Sequence, residues 1–156
     1  MIEITIPGFR RLYLEHLVLD FNGTLGVDGR LINGVQPRLQ ALGHRLGIHV
    51  ITADTFGSVG KVLQAISCEL HLLPAGNQDE GKRDYVRQLG SSRVVAMGNG
   101  RNDRLMLAES ALGIGVILAE GGFSGTLTHA DVVCTSILDA LDLLIYPLRL
   151  TATLRS

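Results

Sequence analysis

Three shortages narrow the field before any motif is considered. Fourteen Lys and Arg nearly balance fifteen Asp and Glu, a formal net charge of −1. No surplus of positive charge therefore speaks for nucleic acid or an anionic membrane surface. There are only two cysteines, Cys68 and Cys134. Both lie in apolar, strand-like settings and in no metal or redox spacing, so they read as buried, reduced thiols of a cytoplasmic protein. No apolar stretch approaches the ~20 residues of a membrane span. The start MIEITIPGFR carries an acid and a proline where a secretion signal needs an uninterrupted apolar region. Internal repeats, low-complexity segments and linkers are missing too, and the Gly/Ser-bearing stretch 121–126 is only loop-sized. What is there is 156 residues, 46% hydrophobic and 19% charged, a composition expected of one folded domain spanning 1–156.

Apolar strand-like runs alternate with helix-like periodic ones. Residues 2–6 and 12–20 read as strands joined at Pro7-Gly8, a hairpin running into a central strand. Pro37 is expected to begin a helix whose Leu39, Leu42 and Leu46 face inward, and Gly47 to end it. Strands at 48–52, 69–73, 93–97, 113–117 and 131–134 come next, with helices near 58–66, 79–89, 102–110 and 136–145. That alternation predicts a three-layer, doubly wound α/β fold with a mostly parallel sheet and helices on both faces.

The chemistry-bearing residues fall at the ends of the apolar runs. Leu17-Val18-Leu19 ends in Asp20, followed by Asn22-Gly23-Thr24. Thr52 and Ala53 follow the next run, Lys82 lies in EGKRDYV, and Asp103 closes GNGRND after VVAM. In a doubly wound sheet such positions converge at the carboxyl edge. Together they are what phosphoryl transfer requires: a nucleophile, a metal ion and fixed donors for the non-bridging oxygens. Asp20 can be both nucleophile and metal ligand. Mg²⁺ takes hard oxygen ligands, so the Asn22 carbonyl and the Asp103 carboxylate are its natural companions. Gly23 permits a sharp turn that brings amides towards an anion, with the Thr24 and Thr52 hydroxyls as further donors. Lys82 neutralises charge between the phosphate and Asp20. Asn102 is expected to orient Asp103 or Lys82. Asp54 is expected to cap a helix beginning near Phe56-Gly57 or to support the site. The five histidines show no ligand spacing, and His16 and His49 read as packed or edge strand residues rather than catalysts. Gly98-Asn99-Gly100 lacks the third glycine of a dinucleotide-binding turn.

This ordered set resembles the haloacid dehalogenase-like (HAD) phosphohydrolase superfamily, and within it the soluble P-type-ATPase-like phosphatases. Its first motif is matched by Asp20-Phe21-Asn22-Gly23-Thr24, its second by Thr52-Ala53-Asp54, its third by Lys82 and its fourth by Gly98-Asn99-Gly100-Arg101-Asn102-Asp103, across residues 12–135. The resemblance implies a Mg²⁺-dependent aspartyl-phosphate mechanism on Asp20, with Asp20, Asn22, Asn99 and Asp103 around the metal and a small phosphorylated substrate. Two departures weaken the pattern. Asn22 stands where the usual acid/base aspartate would be and cannot shuttle a proton. Asn99 stands where the fourth motif usually has a metal-binding aspartate.

The intervals from Asp20 to Thr52 (32 residues) and from Thr52 to Lys82 (30 residues) leave no room for a cap domain. Residues 26–34 supply only a β-hairpin flap around an Asp-Gly turn. Capless relatives usually exclude water by oligomerising or act on bulky substrates, so a homo-oligomer, dimer or tetramer, is one implied outcome. Two other classes compete with the phosphatase. A receiver-like signalling module needs an acidic pair before its phosphorylated aspartate, and Glu3 and Glu15 do not form one. A weakened HAD-like protein that binds phosphoryl ligands or a protein partner without turnover is kept open by Asn22 and Asn99.

Overall fold

The computed structural model describes residues 1–53 and 57–156. Its elements are β1 (Ile2–Ile6), β2 (Arg10–Leu14), β3 (His16–Asp20), β4 (Gly26–Val27), β5 (Arg30–Leu31), α1 (Val35–Gly43), β6 (Gly47–Thr52), α2 (Ser58–Val62), β7 (Glu69–Leu72), α3 (Gln78–Leu89), β8 (Val94–Gly98), α4 (Arg104–Glu109), β9 (Leu112–Val116), α5 (Ser124–Leu127), β10 (Val132–Cys134), α6 (Ile137–Ile145) and α7 (Pro147–Leu154). Six strands form one sheet in the order β10-β9-β8-β3-β6-β7, and every pairing in it is parallel.

β3 holds the centre because its apolar run is buried on both faces: Leu17, Val18 and Leu19 have no exposed surface. Side chains alternate across a strand, so Leu17 and Leu19 join the larger core, with Ile48, Val50, Val95 and Met97 from neighbouring strands, Leu39 of α1 and Leu141 of α6. Val18 points the other way, into a smaller cluster with Ile51, Val86, Val94, Ala96, Met106 and Leu107 under α3 and α4. The strand order reverses at β3, between β6 and β8, and opens a crevice beyond the carboxyl ends of these three strands.

The expected run 12–20 is two strands. β1 and β2 make a separate antiparallel ribbon. At the break, the Glu15 amide donates to Arg93 O and the Glu15 carbonyl accepts from Gly47 N. The helix expected from Pro37 begins two residues earlier and stops at Gly43, so Gly47 does not end it but opens β6. A Cβ on Gly47 would lie 3.1 Å from both His16 Nδ1 and His49 Nε2. Those rings pack together, His16 Nδ1 3.1 Å from His49 Nε2, with His49 Nδ1 2.9 Å from the Tyr85 hydroxyl. Cys68 and Cys134 are free but half-buried rather than buried. Two helices lie outside the expected set: α5, in a stretch expected to be loop, and α7, whose first residue is Pro147, where a missing N–H costs nothing. The flap is present as the short antiparallel pair β4–β5, turned at Asp28-Gly29, both with positive φ. Among the described residues no helix is long and apolar enough to cross a membrane.

Candidate active site

β3, β6 and β8 deliver Asp20, Thr52 and Gly98 to the crevice as their last residues. α3 brings Lys82 in from the side. Its Nζ donates to Asp20 Oδ1 at 2.7 Å and to Asp103 Oδ1 at 2.6 Å. All three side chains are nearly or wholly withdrawn from water, with 1%, 9% and 0% of their surface exposed for Lys82, Asp20 and Asp103.

One ammonium between two buried carboxylates leaves an excess of negative charge. Burial, and then repulsion from Asp103, push the Asp20 carboxyl up to about 7 against the pull of Lys82. For Lys82, burial alone would favour the neutral amine. The Asp20 and Asp103 carboxylates outweigh it and hold the ammonium well above its ordinary value.

Asp103 is not turned towards the mouth of the site. Its Oδ2 accepts from the Asn99 and Gly100 amides at 3.0 and 2.9 Å, and its Oδ1 is taken by Lys82. The carboxylate reaches back over Gly98, where any Cβ would collide with it. Both oxygens are engaged and the side chain has no exposed surface, so Asp103 is placed against Lys82 and the turn that follows β8. Asn102 orients neither of the expected partners. Its amide donates to Gln78 Oε1 at 2.9 Å, tying this turn to the start of α3.

The turn after β3 also differs in detail from expectation. The Gly23 amide donates to Gly26 O, and the Thr24, Leu25 and Gly26 amides all donate to Phe21 O. The turn satisfies its own donors, so Gly23 and Thr24 offer no backbone amide to an anion. Gly23 is needed for its φ of +76° and because a side chain there would run into Asn99. The buried Thr24 hydroxyl lies 3.4 Å from Asp20 Oδ2 and 3.3 Å from Asn99 Oδ1.

The Thr52 hydroxyl is buried without a hydrogen-bond partner among the described residues. An orphaned hydroxyl at the end of a central strand carries a desolvation cost that a ligand oxygen would relieve. Ala53 follows it, half-buried, at the edge of the crevice. Asp54 lies outside the described residues.

Asn99 does more than its sequence position suggests. Its Nδ2 donates to Gly121 O at 3.0 Å, and its own carbonyl accepts from Phe123 N at 2.8 Å. It thereby hangs the loop between β9 and α5 over the site. That loop carries Glu120, which sequence reasoning passed over. Glu120 Oε2 lies 2.6 Å from where a Cβ on Gly23 would sit. The available signal was its place in a loop following the carboxyl end of a parallel strand, the same signal that marked the other site residues. Beside the site, a cavity of about 470 Å³ is lined by Gly76, Asn77, Gln78, Asp79, Arg101 and Asn102.

A divalent cation fits what is present. Among the described residues no group of three or more His, Cys, Asp or Glu side chains is placed to hold a metal. Hard oxygens are nonetheless at hand: the Asp20 carboxylate, the Asn99 amide oxygen, and the Asn22 carbonyl, which accepts no hydrogen bond among the described residues.

No protein-family model matches the chain. The architecture is the HAD-like α/β fold. Cobalt-bound deoxy-D-mannose-octulosonate 8-phosphate phosphatase from Haemophilus influenzae superposes with a TM-score of 0.72 at 10% identity, covering 92% of this chain and 94% of that one. The 3-deoxy-D-manno-octulosonate 8-phosphate phosphatase from Moraxella catarrhalis, solved with magnesium, phosphate and its sugar, gives 0.67 at 20% identity, over 85% of this chain and 86% of that one. A zinc-transporting PIB-type ATPase gives 0.64 at 20% identity, but 79% of this chain covers only 20% of the pump.

In sequence the chain is 48% identical over 65 residues to the uncharacterized protein MJ0073 of Methanocaldococcus jannaschii, 42% of this chain and 70% of that one, and it belongs to the same family. The uncharacterized protein MJ0072 of the same organism is 44% identical over 39 residues, 25% of this chain and 89% of that one.

Proposed function

We propose that residues 1–156 form one hydrolase core, a Mg²⁺-dependent phosphohydrolase that works through an aspartyl phosphate on Asp20. The observation that carries this reading is the buried Asp20–Lys82–Asp103 bridge, with an orphaned Thr52 hydroxyl at the end of the neighbouring strand. It provides a carboxylate nucleophile, a fixed cation beside it and an unsatisfied donor, in the crevice where α/β sheets bind ligands. The HAD-like fold of metal-bound phosphatases adds support.

An Asp20 oxygen attacks phosphorus, the P–O bond to the leaving group breaks, and the leaving oxygen takes its proton from water, since Asn22 has none to give. Water then attacks the aspartyl phosphate, releasing inorganic phosphate and restoring the carboxylate. Thr52 donates to a non-bridging phosphoryl oxygen, and Lys82 offsets negative charge between phosphate and Asp20. Asp20, the Asn22 carbonyl and Asn99 would hold Mg²⁺, which draws electron density from the phosphoryl group and lowers the pKa of Asp20 so that it ionises.

The substrate is a small phosphorylated molecule, with neither nucleic acid nor membrane as partner. Arg101 and the cavity beside it receive its leaving group. With no cap among the described residues, a homo-oligomer, dimer or tetramer, covers the site through the β4–β5 flap, and the protein works in the cytoplasm. The second reading, phosphoryl binding without turnover, is favoured by one observation: Asn22 offers no acid or base. A phosphatase panel with Mg²⁺, run on wild type and Asp20→Asn, tests both. Phosphate release lost in Asp20→Asn supports the enzyme, whereas saturable phosphate binding with no release and no phosphoenzyme supports the binder.

A further inference from the structure

The cation site is short of charge. Of its two buried acids, Asp103 is consumed by Lys82 and two backbone amides, so Asp20 alone offers a carboxylate to a cation. Mg²⁺ sites in phosphoryl-transfer proteins commonly draw on one or two carboxylates, and affinity follows the number of charged ligands. A second carboxylate is present at the mouth. Glu120 Oε2 lies 2.6 Å from where a Cβ on Gly23 would sit, a point that the side chain of Asn99 also approaches. It has no hydrogen-bond or ion-pair partner among the described residues.

Its placement is built. The loop closes on itself where Gly121 N donates to Leu118 O, at a φ of +76° for Gly121. Asn99 then grips it at Gly121 O and at Phe123 N. The Thr126 hydroxyl adds a third tie, 2.7 Å from Gly100 O. Only the NH₂ end of the Asn99 amide can face a carbonyl oxygen. A carboxylate at 99 would repel Gly121 O and lose that grip. An asparagine at 99 gives up a negative charge and holds in place a loop that brings one back.

We propose that Glu120 is the second carboxylate of the divalent-cation site, and that Asn99 positions it there. The inference rests on the phosphohydrolase reading and deepens it. The missing charge is supplied from across the crevice, by the loop after β9 rather than by the end of β8. Gly23, with no side chain, leaves the gap through which Glu120 and Asp20 can face one ion.

Binding of Mn²⁺ to the metal-free protein, followed by the electron paramagnetic resonance of free Mn²⁺, tests this without any substrate. Glu120→Gln removes one charge from an exposed loop residue, and an unchanged Tm will show that it folds. It should bind Mn²⁺ about tenfold more weakly than wild type or worse. Asp84→Asn, an exposed acid of α3 paired with Arg83 and Arg87, should bind as wild type does. Wild-type affinity in Glu120→Gln, or an equal loss in Asp84→Asn, overturns the assignment. A phosphoenzyme formed by both wild type and a fully Mn²⁺-competent Glu120→Gln would sink Glu120 and leave the phosphohydrolase standing. Absence of both Mn²⁺ binding and phosphoenzyme in wild type would remove the two readings together.

Discussion

Asp103 lies 2.6 Å from the Lys82 ammonium and is itself clamped by the Asn99 and Gly100 amides. The lysine is therefore aimed at Asp20 by a fixed anchor and is not a free surface cation. A buried charge held this way is costly to orphan: removing one partner of a buried pair destabilises by about 3–5 kcal/mol. Asp103→Asn should lose most of its turnover and several degrees of Tm, yet keep Mn²⁺ affinity within a few fold of wild type. Asp20→Asn should lose the affinity itself. Equal losses of affinity in the two variants would return Asp103 to the metal.

Asp20 links activity to stability with an unusual sign. Its folded pKa is raised to about 7 from an ordinary value of 3.8, so between those values the native state holds a proton that the unfolded chain has released. The unfolded state then binds fewer protons, and this group's contribution falls as pH rises from about 4 to 7. His49, lowered chiefly by burial, has the opposite slope: it costs stability as pH falls through the ordinary histidine range. The difference between wild type and Asp20→Asn isolates the carboxylate. Without metal, the Tm of wild type relative to Asp20→Asn should therefore fall between pH 4 and pH 7. Calorimetry at the two pH values checks it, and a gap independent of pH refutes it.

Turnover should be limited by Asn22. General base catalysis contributes about 10²–10⁴-fold, so hydrolysis of the aspartyl phosphate should lag behind its formation. Rapid quenching should give a burst and an acid-stable, hydroxylamine-labile phosphoprotein, with aryl and acyl phosphates preferred over alkyl ones. Asn22→Asp should raise steady-state turnover. No burst, together with an unchanged rate in Asn22→Asp, would place the slow step elsewhere.

The flap is short, and the crevice has no other lid among the described residues. Self-association that covers it should appear by light scattering as a dimer or tetramer at micromolar concentration. A clean monomer across that range defeats the assembly without touching the chemistry.

Most of this architecture is legible in the chain because parallel strands buried on both faces must be apolar runs, and the residue closing each run must face the crevice. That logic places Asp20, Thr52 and Gly98 and sets Lys82 on a helix. It fails where a residue's task depends on what lies opposite. For Asp103, spacing reveals which loop the carboxylate sits on, not that two amides four and three residues earlier will hold it. Gly23 looks like an anion cradle because nothing local shows that Phe21 O will collect the amides of that turn. Glu120 does follow an apolar run, that of β9 and Ile117-Leu118-Ala119, but only the Asn99 contact across the crevice shows that its loop returns to the site. α7 lies beyond the last expected helix, and its one local signal is Pro147, a proline at a helix start.

The two faces of the sheet are unequally backed, and the layer carrying Lys82 and Asp103 is the thinner one. Val86, Met106 and Leu107 provide most of the apolar grip of α3 and α4, whereas the opposite face is sealed by α1, α6, α7 and the β1–β2 ribbon. Cooperative openings begin where least apolar surface must be exposed. Amide protons of α3 should therefore exchange with solvent before those of β3, and a transient opening would carry the lysine away from Asp20 while the sheet stays intact. Catalytic competence would end at a lower temperature than the fold, because the anchor of the site belongs to the layer most easily lifted.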